Sequence, residues 1–132
     1  MKYVYKAGDR KEFTRVVRSA DTATFGSGQV HPVYSTFALV RDAEWTCRLF
    51  VLEMKEEDEE GIGTFITVKH HAPALMEESV NFAVEVESIK RNEIICKYKA
   101  AIGKRLVATG RQGQKILKKA KIKKLFESLK HG

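Results

Sequence analysis

The 132-residue sequence has no apolar run approaching the roughly 18 residues that a membrane span requires, and its first residues, MKYVYKAGDRKEF, lack the apolar segment of a signal peptide. A soluble, cytoplasmic protein is therefore expected. Cysteine is scarce: Cys47 and Cys96 are the only two, each within an apolar run and neither at metal-ligand spacing from another ligand. Small buried thiols in a reducing compartment fit this usage better than a disulfide or a metal site. Repeats, linkers and composition breaks are also missing, so the length argues for one domain around one core.

The net charge of +7 invites a nucleic-acid reading, but the charge is unevenly spread. Residues 115–132, KILKKAKIKKLFESLKHG, hold seven Lys against one Glu, which leaves the rest of the chain nearly neutral. Phe126 stands alone among these lysines, without the interleaved aromatics on which bases stack, so nucleic acid is not an expected partner. An acidic run, EMKEEDEE (53–60), reads as a solvated loop.

Along the chain, KEFTRVVRS (11–19) reads as a first strand and DTATFGSGQVHP (21–32) as a loop. A helix is expected from about Ser35 to Met54, capped by Ser35 or Thr36, whose hydroxyls can accept from the free N–H groups of the first turn. Its density of apolar residues suggests burial on most sides. Four strands follow, at 61–72, 79–89, 93–102 and 105–117, the last three forming an antiparallel meander through short polar turns. Ile122, Leu125, Phe126 and Leu129 recur at helical spacing and predict a short basic amphipathic helix. A single long helix followed by antiparallel strands is an α+β pattern, with a domain over 1–117 and a basic tail over 118–132.

Glu44 interrupts the helix's apolar stripe, since Phe37, Val40, Cys47 and Val51 lie at i−7, i−4, i+3 and i+7. It either pairs with Arg41 and Arg48, one turn away on either side, or is a functional carboxylate held in a partly dry site. On the strand GIGTFITVKHHA, alternation puts Ile62, Thr64, Ile66, Val68 and His70 on the more apolar face, toward the helix, and leaves His71 with Lys69 on the other. His70 is then either a satisfied core histidine or a partner for Glu44.

With those residues in view, the runs GSGQVHPVYSTFALVRDAEW and GTFITVKHHAPAL resemble the hotdog-fold thioesterases of the fluoroacetyl-CoA thioesterase-like family. In that family a Thr near the helix start, a Glu eight residues on and a His in an H-x-A-P segment form the active site. The matching positions are Thr36, Glu44 and His70-His71-Ala72-Pro73, with Gly63 seven residues before the His. The family's closing Gly-x-His-x-Arg segment corresponds to Gly110-Arg111-Gln112-Gly113-Gln114, which keeps neither the His nor the Arg in register, although Arg111 lies nearby.

The resemblance implies a hotdog fold, a long central helix wrapped by an antiparallel sheet of about five strands. It also implies a homodimer or dimer of dimers and an acyl-CoA thioesterase that needs no metal or cofactor. Thr36, Glu44 and His70 would be catalytic, Glu44 as nucleophile or as the base activating water, with Gly63 and Arg111 contacting substrate. The other outcome left open is a hotdog protein that binds acyl-CoA without hydrolysing it. On one ideal helix Glu44 lies about 12 Å beyond Thr36 and about 80° around the axis, so other elements must complete the site.

Overall fold

A computed structural model of the protein describes residues 1–25 and 28–131. Eight strands and two helices follow in the order β1 (Arg10–Val16), β2 (Thr22–Phe25), β3 (Gly28–Tyr34), α1 (Thr36–Met54), β4 (Glu59–Ile66), β5 (Lys69–His70), β6 (Ser79–Lys90), β7 (Glu93–Ile102), β8 (Arg105–Lys118) and α2 (Lys119–His131). The main sheet is antiparallel with strand order β1-β6-β7-β8-β4, and β5 pairs with the far end of β8. The architecture is α+β, a hotdog fold in which the long helix packs on one curled sheet.

Period-two alternation builds the inner sheet face. Phe82, Val84 and Val86 of β6 pair across from Ala100, Tyr98 and Cys96 of β7, and all six are buried. Leu39, Ala43, Cys47, Phe50 and Met54, at helical spacing on α1, close the core over them. Cys47 and Cys96 meet there as free, buried thiols, and Cys96 together with burial pushes the Cys47 thiol far up.

Four expectations change. The helix is covered on one side only, because a single sheet can shield a single face, and Phe37, Trp45 and Leu52 are 83%, 42% and 40% exposed. The stretch 21–32 is not a loop: β2 and β3 form a two-stranded antiparallel ribbon with shifted register, Gly26 and Ser27 lying outside the described residues. The acidic run is a loop only between α1 and β4, and Glu59 is buried at 2.7 Å from the Met1 α-ammonium. The predicted strand 61–72 divides into β4 and β5, and β4 carries a bulge, since Gly63 pairs with Gln114 and Phe65 with Gly113, leaving Thr64 extra.

Candidate active site

The bulge decides which side chains meet α1. Before it, the odd positions face the helix: a Cβ on Gly61 would strike Val51, and one on Gly63 would lie 2.9 Å from the Glu44 carboxylate. Beyond it the even positions do, with Ile66 and Val68 packed on the core and His70 turned toward the start of α1. Ile62 and Thr64 are therefore not on the His70 side, contrary to strict alternation, while His70 is on the helix side as expected. His71 faces away and meets Thr109 Oγ1 through Nε2 at 2.8 Å.

The N-terminus of α1 is tied down from three directions. Ser35 caps it, its Oγ accepting from Ala38 N–H at 3.0 Å. The Ser35 N–H donates to the Asp21 carbonyl at 2.9 Å, and the Tyr34 N–H to that of Ala74 at 2.8 Å. Because Ser35 takes the cap, the Thr36 hydroxyl is released, and it lies 3.0 Å from His70 Nδ1. Thr36 and Phe37 N–H groups stay outside the helix's own ladder and point out of its positive end.

Burial lowers the His70 pKa below its ordinary 6.5, the Ala72 backbone opposes this and the His71 charge adds to it, so the ring is neutral at pH 7. A neutral imidazole offers one donor and one acceptor. With the proton on Nε2, Nδ1 accepts from the Thr36 hydroxyl. Nε2 is buried and has no hydrogen-bond partner among the described residues, a demand that a substrate or a second chain can meet.

Glu44 is not held by the arginines that flank it on the helix. Arg41 pairs with Asp21 at 2.8 Å and Asp42 at 3.1 Å, and Arg48 with Glu60 at 2.7 Å. The Glu44 carboxylate instead borders a pocket of about 260 Å³ lined by Gly63, Thr64, Phe65, Ile66 and Gln112. Gln112 is only 2% exposed and reaches this pocket from β8. Its amide donates to the Gly113 carbonyl at 2.8 Å and its oxygen accepts from Gln114 at 2.9 Å, which holds it in one orientation. Sequence reasoning treated Gln112 only as part of an altered segment; its place on the inner face two residues from Gly110 was the available signal.

Glycine is required at 63 because any side chain there displaces the Glu44 carboxylate. Gly63→Ala is expected to cost less than about 1 kcal/mol of stability, since the obstructed atom ends a flexible side chain. Any chemistry that uses the Glu44 carboxylate should fall about tenfold from its misplacement. Thermal melts and steady-state rates on the same preparation check both halves.

The structure thus brings Thr36 to His70 and Glu44 to Gly63, and gives no contact between the two pairs within one chain. Arg111 lies apart from both, on the outer face, in an ion pair with Glu87 and with its guanidinium 5.6 Å from the centre of the Phe65 ring. Among the described residues no group of three or more His, Cys, Asp or Glu is placed to hold a metal ion.

Fold and sequence together define a hotdog protein of the thioesterase superfamily. The profile of the fluoroacetyl-CoA-specific thioesterase family, FlK, matches residues 17–120, and the chain belongs to that family. Among solved structures, a hypothetical protein of Thermus thermophilus described as a thioesterase superfamily member is 34% identical, over 99% of this chain and 96% of that one, with a TM-score of 0.91. FlK itself is 21% identical over 94% of this chain and 96% of that one, with a TM-score of 0.85, a likeness of fold. A mutant of FlK, 22% identical over 89% of this chain and 99% of its own, has been solved with fluoroacetate and CoA, with a TM-score of 0.81. No curated protein sequence matches the chain.

Proposed function

We propose that this protein hydrolyses the thioester of an acyl-CoA to the free acid and CoA through Thr36, Glu44 and His70. The observation that carries the reading is the 3.0 Å contact of the Thr36 hydroxyl with His70 Nδ1, made where α1 turns its unused N–H groups outward. Those N–H groups polarise the thioester carbonyl and hold the oxyanion as it forms. Glu44 either takes a proton from water or attacks the carbonyl itself, and His70, neutral at pH 7 and coupled to Thr36, moves the proton that the departing thiolate needs. Water adds across the C–S bond in sum, and no metal or redox cofactor enters.

A homodimer or dimer of dimers completes the site in this reading. Glu44 and the Thr36–His70 pair are far apart on one helix, while Phe37, Trp45 and Leu52 leave that helix an exposed apolar side for a second copy to cover. Gly63 gives the acyl group close access to Glu44. Arg111 is assigned to the CoA phosphates, which would have to compete with Glu87 for it. Free cysteines and the lack, among the described residues, of a helix long and apolar enough to cross a membrane support a cytoplasmic enzyme.

Thiol release from short, branched, aromatic and long acyl-CoAs, comparing the native protein with Thr36→Val, tests this. Turnover of at least one member is expected, falling 10- to 100-fold on loss of the hydroxyl. The departure at Gln112 and Gln114 favours one other reading, a protein that binds acyl-CoA without cleaving it. Saturable acyl-CoA binding with no thiol released by any member of the panel would establish that reading instead.

A further inference from the structure

We infer that α2 is a docking element for the surface of an anionic phospholipid bilayer. None of the 13 residues of this helix is buried, and α2 lies almost wholly beyond the family match, which ends at residue 120. At 100° per residue, Ile122, Leu125, Phe126 and Leu129 fall within an arc of about 100°. Lys119, Lys123 and Lys130 border that stripe on one side and Lys121 and Ser128 on the other, with Lys124 and Glu127 on the far face. Long lysine stems beside an apolar stripe reach up to phosphate groups while the stripe sinks below them.

Charge accounting within the chain points outward. Four carboxylates around the α1–β4 junction, on which α2 starts, already have partners: Glu53 has Lys11, Asp58 has Lys118, Glu59 the Met1 ammonium and Glu60 Arg48, while α2 itself carries five Lys against Glu127 alone. The five lysines of α2 have no ion-pair partner among the described residues. The Lys119 N–H donates to the Asp58 carbonyl at 2.8 Å, so the helix is anchored at its first residue and projects the rest from the end of β8. The surplus charge therefore calls for an external anionic surface. Nucleic acid would meet the lysines but would leave the stripe uncovered, whereas a lipid headgroup layer meets both. This inference is independent of the thioester chemistry.

Flotation of the full-length protein with vesicles of phosphatidylcholine alone, or with 30% phosphatidylglycerol, tests it at 0.15 M and 0.5 M salt. Bound protein is expected only on the anionic vesicles, at least tenfold more than on neutral ones, and to fall at the higher salt. The double variant Phe126→Asp, Leu129→Asp and a second variant with Lys119, Lys121, Lys123 and Lys130 changed to Gln should each lose at least tenfold. Both should keep the native circular dichroism spectrum, since no core contact is touched. Four results overturn the inference: no flotation, equal binding to neutral vesicles, duplex DNA binding that survives the double variant, or a smaller oligomer in that variant, which would assign the stripe to a second copy. Turnover of a short, water-soluble acyl-CoA by the double variant reads the thioesterase proposal separately and should be unchanged.

Discussion

His70→Ala and Glu44→Ala are each expected to lower kcat/KM for acyl-CoA hydrolysis by 10²- to 10⁴-fold, the range associated with loss of a positioned acid or base, while His71→Ala changes it less than threefold. The contrast between neighbouring histidines makes the experiment sharp. They are adjacent, His70 ending β5 and His71 following it, yet His70 turns inward to Thr36 at 3.0 Å and His71 outward to Thr109 at 2.8 Å. An effect on folding or on the strand would strike both; an effect on chemistry strikes one. Equal losses would remove His70 from the mechanism.

The pH profile supplies an independent readout. Burial lowers the His70 pKa, so the neutral ring beside the Thr36 hydroxyl persists to a pH below 6.5 before it is protonated. Activity that needs the neutral form should therefore hold through pH 7 and decline on the acid side of 6.5, and His70→Ala should abolish that limb. A limb lying above 6.5 in the native protein would contradict a partly buried imidazole acting as the base.

What could be read from the residues, and what could not, follows from the range of the interactions involved. The central helix and the β6–β8 meander announce themselves because apolar spacing of 3.6 or 2 is a local property. The bulge in β4 is not local. Two residues of β4, Thr64 and Phe65, crowd the position opposite Gly113, where an added Cβ would lie within 2.6 Å of both, so the glycine that permits it sits some fifty residues away on another strand. Strict alternation consequently misplaced Ile62 and Thr64 while leaving Ile66, Val68 and His70 on the correct side. The arginines around Glu44 show the same limit, since Arg41 and Arg48 stand at helical spacing from it yet are taken by carboxylates of other elements. Ser35 against Thr36 as the cap was an even choice along the chain. It is resolved by the ribbon β2–β3, read as loop, whose last residue Tyr34 is pinned to Ala74 and so fixes where the helix begins.

That junction rests on a buried carboxylate, and Asp21→Asn is expected to destabilise the protein by about 2–3 kcal/mol at pH 7. Asp21 is 1% exposed, and its oxygens accept from Arg15 at 2.8 Å, from Arg41 at 2.8 Å and from the Arg18 N–H at 3.0 Å. Neutralising it leaves the Arg15 and Arg41 guanidiniums with Asp42 alone to balance them. The cost stays below that of a fully buried pair because both retain some contact with water. Burial alone would raise the Asp21 pKa, but these donors together outweigh it and hold the group at about 2, against 3.8 when unfolded. The folded state thus binds the proton less tightly. Its contribution, about 2 kcal/mol, is fully present above pH 4 and is lost as pH falls toward 2. Urea unfolding at pH 7 and pH 2.5 should show the native protein and the variant well separated at the first and the gap reduced by about two thirds at the second. A gap that persists undiminished in acid would mean that Asp21 acts by shape rather than charge. Asp21 also holds the Ser35 N–H through its backbone carbonyl, which the substitution keeps. Any fall in turnover beyond the loss of folded protein would therefore report that the carboxylate, by fixing Arg41 on α1, also sets the register of the Thr36 hydroxyl against His70.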